Sequence, residues 1–128
     1  MVFGIIKIKE LKEHEEIRPE YLEELKNQIE QDGFLKDPII VDKNTKIILD
    51  GHHRYKSLKQ LGYSKIAAYF VDYNSSEIKV QAWRKGEIVT KEDVIKAGLT
   101  GDKFPPKTSR HIIPNRPINL HIPLKELV

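Results

Sequence analysis

Asp50-Gly51-His52-His53-Arg54 gathers the side chains of this chain best suited to holding phosphate or moving a proton. The apolar run Ile47-Ile48-Leu49 precedes it and a helical pattern follows, so it reads as a strand turning through a glycine into a helix start. A helix N-terminus presents unpaired backbone N–H groups and favours anions. Arg54 would add planar, charge-assisted donors. His52 and His53 would donate from either ring nitrogen without full protonation, and Gly51 is the turn of the same anion site. Asp50, at the strand end, could hold a metal ion or accept a proton. Adjacent helical residues point about 100° apart, so the two histidines do not form the i, i+4 zinc pair of metalloproteases.

A second cluster, Lys107-Thr108-Ser109-Arg110-His111, lies in a proline-bounded segment. Hydroxyl, guanidinium and imidazole again suit phosphate, so the two clusters together suggest a polyphosphate gripped from two sides. No G-x-x-x-x-G-K-[ST] motif occurs. A third group is His14-Glu15-Glu16. Phosphoryl transfer to an alcohol needs a carboxylate to take the hydroxyl proton and Mg²⁺ to neutralise phosphate oxygens. Glu15 or Glu16, with Asp50, could fill those roles, whereas the plainer reading makes the acids dipole partners of the next helix. Trp83, the only tryptophan, reads as core or as the wall of a small-substrate pocket.

The elements that must position these groups follow from patterning. Gly4 to Leu11 alternates as a first strand, and a helix begins at Pro19 and stops at Gly33. Pro38 to Asp42 and Ile47 to Leu49 read as a hairpin, and His52 to Leu61 as a helix. Ile66 to Tyr73 and Glu77 to Trp83 are the next strands. Thr90, with Asp93 three residues on, caps a helix that Gly98 or Gly101 closes. Gly101 to Pro117 is expected as ordered loop, and Ile118 to Ile122 as a last strand. The sum is an α+β class, a small mixed sheet packed against short helices, in one domain spanning residues 1–128.

Composition narrows the chemistry. The chain is 39% hydrophobic and 32% charged with a formal charge of +3, as a globular domain would be. It has no cysteine, which excludes disulfides, thiolate zinc sites and a cysteine nucleophile. No apolar run is long enough for a membrane helix, and no leader pattern is visible, so a cytoplasmic location without membrane contact is the expectation.

The Asp50-Gly51-His52-His53-Arg54 motif, with the preceding Gly33 and Pro38-Ile39-Ile40-Val41-Asp42, resembles the fold shared by ParB N-terminal domains and sulfiredoxin. Within it, His14-Glu15-Glu16, Val71-Asp72-Tyr73, Trp83 and Phe104 to His111 are most similar, in the same order, to the archaeal free L-serine kinases. That resemblance implies transfer of a phosphoryl group from ADP or ATP to the hydroxyl of free L-serine, giving O-phosphoserine. It implies Glu16 as the base, with Glu15 the fallback, and Asp50 assisting catalysis or Mg²⁺. His52, His53, Arg54, Thr108, Ser109, Arg110 and His111 would bind nucleotide phosphates, and Trp83 would line the serine pocket. Members of that family carry more sequence between the tryptophan and Thr-x-Arg-His segments, where this chain has about two dozen residues. A homodimer is one way to complete such a site. Sulfiredoxin chemistry is excluded, because its turn cysteine is His52 here. The alternative is a ParB-like nucleotide-binding regulatory module that contacts DNA without phosphotransfer; the modest charge and lack of a helix-turn-helix pattern count against it.

Overall fold

The computed structural model describes residues 1–128. Its centre is a four-stranded mixed sheet. Strands β1 (Val2–Lys7), β2 (Phe34–Leu35), β3 (Ile39–Asp42), β4 (Ile48–Asp50) and β5 (Lys65–Val71) come first in the strand count, and the sheet order is β1-β5-β3-β4. β3 runs parallel to β5 and antiparallel to β4, while β1 runs antiparallel to β5. Every residue of β3 is buried, as expected of a central strand covered on both faces. Ile39 and Val41 face one core with Ile29, Leu35, Tyr55, Leu58 and Leu127. Ile40 faces a second core with Ile47, Tyr69, Tyr73, Ile78 and Val94.

Helices α1 (Pro19–Asp32) and α2 (His52–Gln60) pack on each other over the first core, and α3 (Lys91–Thr100) covers the second. Proline at the first turn of α1 and left-handed Gly33 at its end form the expected punctuation. Thr90 and Asp93 close a reciprocal capping box on α3. Gly101 is the α3 cap, whereas Gly98 lies within the helix. A Cβ on Gly98 would come within 2.7 Å of Ile47, so glycine there lets α3 approach the sheet.

Several expectations are corrected. The first strand ends at Lys7, and Ile8–Glu10 forms a 3-10 turn. The stretch expected as loop contains a strand: β6 (Lys79–Ala82) pairs antiparallel with β7 (Ser109–Ile112), in register Ala82↔Ser109 and Val80↔His111. The four prolines flank this strand without removing any of its N–H donors. The last strand, β8, is only Ile122–Pro123 and pairs with β2, a strand the patterning missed. Asn119 and His121 have positive φ, which breaks extended backbone before it.

Candidate active site

Strand β4 delivers Asp50 to the sheet's end, and α2 starts two residues later. Gly51 makes that turn at φ 101°, and a Cβ there would lie 2.5 Å from Ile39. Only glycine meets both demands. No side chain caps α2, and the first-turn residues His52, His53 and Arg54 line the adjoining cavity. That cavity, about 890 Å³, is lined by Glu15, Glu16, Asp50, Trp83, Arg110 and Arg116 among others.

The three charged or basic side chains of the turn do structural work. Arg54 donates from Nη1 to the carbonyls of Asp37 (3.0 Å) and Pro38 (2.9 Å) and from Nη2 to Asp50 Oδ2 (3.3 Å). His52 Nε2 accepts the His14 backbone N–H at 3.2 Å, and His53 Nε2 accepts that of Arg18 at 3.0 Å. As acceptors both rings are neutral at Nε2, and burial lowers the pKa of each. They tie residues 14–18, which join β1 to α1, onto the start of α2, and each neutral ring then carries its proton on Nδ1.

That connector is fastened from every side. Glu13 bridges Lys56 (2.9 Å) and Lys103 (3.0 Å). The Glu16 N–H donates to the Phe104 carbonyl at 2.8 Å. His14 is fully buried, its Nδ1 2.7 Å from the Ile48 carbonyl and its Nε2 3.0 Å from Ser109 Oγ. Desolvation holds the His14 pKa down at about 4 and that of His111 at about 3. The rings of His52 and His111 lie 4.6 and 5.7 Å from that of His14.

The adjacent glutamates separate clearly. Glu15 Oε1 accepts both the backbone N–H and the hydroxyl of Ser109, each at 2.8 Å. Burial raises its pKa, which those hydrogen bonds only partly offset. Ser109 has one hydroxyl hydrogen between two groups that would both accept it, Glu15 and the neutral His14 ring. Glu16, by contrast, is exposed in the cavity wall, and its carboxylate makes no hydrogen bond or ion pair.

The second cluster divides similarly. Thr108 Oγ1 donates to the Pro105 carbonyl at 2.7 Å and does not line the cavity. His111 Nε2 pairs with the Tyr73 hydroxyl at 2.8 Å. Lys107 Nζ and the Arg110 guanidinium stand 4.7 and 5.1 Å from the ring centre of Trp83, which is 47% exposed at the cavity rather than in the core.

Asp50 carries a partner that sequence reasoning missed. Arg116 Nη1 donates to Asp50 Oδ2 at 2.6 Å. Burial opposes ionisation of Asp50, but the guanidinium groups of Arg54 and Arg116 outweigh it and hold its pKa below the usual carboxylate value. The signal available was an arginine fixed between Pro114 and Pro117. Nowhere do three His, Asp or Glu side chains converge as a metal cage. No helix is long and apolar enough to cross a membrane.

The chain matches the ParB N-terminal domain family over residues 4–83. It is 42% identical to a ParB-like protein of Sulfolobus acidocaldarius over 60% of this chain and 38% of that protein. It is 36% identical to an ATP-dependent L-serine kinase of Staphylothermus marinus over 62% of this chain and 33% of that one. It thus spans well under half the length of these curated relatives. Among solved structures, free serine kinase in complex with AMP superposes with a TM-score of 0.90 at 19% identity, covering 98% of this chain and 93% of the other. At that identity the likeness is one of fold.

Proposed function

The chain belongs to the ParB N-terminal domain family, and from that premise we propose that it is a kinase that transfers a phosphoryl group from ADP or ATP to the hydroxyl of free L-serine, giving O-phosphoserine. The observation that carries this reading is one cavity that combines the uncapped, positive start of α2 with a carboxylate, Glu16, left without a partner. The similarity to a protein named as an L-serine kinase supports the acceptor, and the shared fold with an AMP-bound serine kinase supports an adenine nucleotide.

In this mechanism the N–H groups at the α2 start receive phosphate oxygens, with Lys107 and Arg110 adding positive charge across the cavity. Glu16 accepts the serine hydroxyl proton as the serine oxygen bonds to the terminal phosphorus. The bond from that phosphorus to the bridging oxygen breaks, and AMP or ADP leaves with the electron pair. Glu15, hydrogen-bonded to Ser109, supports the wall and is not the base. Asp50 orders the arginines. Trp83 walls the serine end, and residues 1–128 act as one nucleotide-binding domain.

Mg²⁺ has no resident site that fits these residues. Asp50 Oδ2 is taken by two guanidinium groups, and no further carboxylate converges on it. The ion is assigned to the nucleotide's phosphates as part of the substrate, and no step is routed through it.

The test is direct detection of phosphoserine by mass spectrometry after incubation with L-serine and ADP or ATP. Formation with either donor supports the reading, and no product with both overturns it. The similarity to a ParB-like protein favours a second reading, a nucleotide-binding regulatory module on DNA. Salt-sensitive DNA binding in a chain that makes no phosphoserine would select that one.

A further inference from the structure

We infer that Arg116 and Asp50 form a clamp for the charged head of the amino-acid acceptor, Arg116 taking its α-carboxylate and Asp50 its α-ammonium. The inference rests on the kinase reading and adds how that site recognises a free amino acid.

Among the arginines and lysines of the cavity, several are already committed. Arg54 is fixed to two backbone carbonyls and to Asp50, and Lys107 and Arg110 stand over Trp83. Arg116 is held by one bond only, from Nη1 to Asp50 Oδ2. The rest of its guanidinium has no partner, and Asp50 Oδ1 has none either. Both side chains remain partly open, 23% exposed for Arg116 and 43% for Asp50. They converge from different elements, the end of β4 and the loop between β7 and β8, and both line the cavity that holds Glu16 and Trp83.

A guanidinium edge matches a carboxylate through two parallel N–H···O bonds, and an ammonium needs acceptors alone. A positive and a negative group side by side therefore complement a zwitterion. They do not complement a phosphate, because an anion drawn to Arg116 would meet the Asp50 carboxylate. The uncapped α2 start offers phosphate donors without that penalty. The clamp would hold the backbone end of serine at Asp50 and Arg116 and leave its hydroxyl end for Glu16.

The experiment compares L-serine, ethanolamine (no carboxylate) and 3-hydroxypropionate (no ammonium) as acceptors for the wild type and Arg116→Gln. In the wild type each truncated acceptor should lose about 100-fold in kcat/KM, because one of the two charge-assisted contacts is lost. Arg116→Gln should collapse the preference for serine over ethanolamine, mainly through the KM for serine, and Arg116→Lys should restore part of it. A wild type indifferent to loss of the carboxylate overturns the clamp, even if the variant fails to fold. An unchanged preference in a folded Arg116→Gln overturns it as well. If the wild type makes no phosphoserine, the kinase reading fails on its own. Calorimetric titration of the three acceptors in the presence of AMP then judges the clamp: tighter binding of L-serine supports it, and equal binding or no binding overturns it.

Discussion

At the residue scale, two neighbouring carboxylates differ in availability. Glu16 has no partner and Glu15 has two bonds to Ser109. Glu16→Gln is expected to lower kcat by about 10²–10⁴-fold, the usual contribution of a general base, with nucleotide affinity retained by calorimetry. Glu15→Gln should cost less than about tenfold, because an amide oxygen still accepts the Ser109 backbone N–H and hydroxyl. The reverse ranking, read by steady-state kinetics, would exchange their roles. The sequence identified this pair but could not separate them, since the distinction comes from Ser109, 94 residues away. The same distance effect hid the use of His52 and His53. Their types promised phosphate donors, but the backbone N–H groups of His14 and Arg18 commit Nε2 of each ring as an acceptor and leave only Nδ1 to donate. Arg116 went unseen because its partner Asp50 lies 66 residues back.

At the element scale, local punctuation was legible and long-range pairing was not. The Pro19 start, the Gly33 stop and the Thr90–Asp93 box each act within one turn, so the residues announce them. Strand β7 is defined by its pairing with β6, some thirty residues earlier, and its own sequence is polar and flanked by prolines. The strand-to-helix turn carries a sharp demand. Gly51→Ala places a Cβ 2.5 Å from Ile39 at a φ of 101°. Strain and overpacking together should cost about 2–4 kcal/mol, measurable by urea denaturation. An alanine variant as stable as the wild type would mean the turn adopts another backbone. Gly98→Ala has ordinary helical φ, so its penalty comes from contact with Ile47 alone and should be smaller.

At the scale of the whole molecule, buried neutral histidines set the acid limit of stability. The folded pKa values of His14 and His111 lie at about 4 and about 3, below the ordinary 6.5. Between pH 6.5 and those values the unfolded chain binds protons that the folded chain refuses. Stability therefore falls as pH falls, by up to about 1.4 kcal/mol per pH unit for each histidine. Glu15, with a raised pKa, contributes with the opposite sign and softens the slope. Denaturant midpoints measured from pH 7 to pH 4 check this, and a flat profile would show that the rings can charge in place. Ligand gives a second handle. An adenine nucleotide at a hundred times its Kd should add about 2.7 kcal/mol, roughly 10 °C in Tm for a chain of this size.

The ties of the 13–18 connector also bear on the order of folding. His14 meets Ser109 across 95 residues and Glu13 meets Lys103 across 90, so one wall of the cavity waits for nearly the whole chain. Closing such loops costs entropy before any contact repays it, which places these joins late in folding. All four strands of the β1–β5–β3–β4 sheet lie before position 72, but its two faces are closed by later side chains, Val94 on one and Leu127 on the other, and the cavity wall by Trp83 and Ser109 to Arg116. A chain emerging from the ribosome would hold its strands before it could close either core or the cavity wall, so protection of the sheet amides and the cavity should both wait for the last third of the chain.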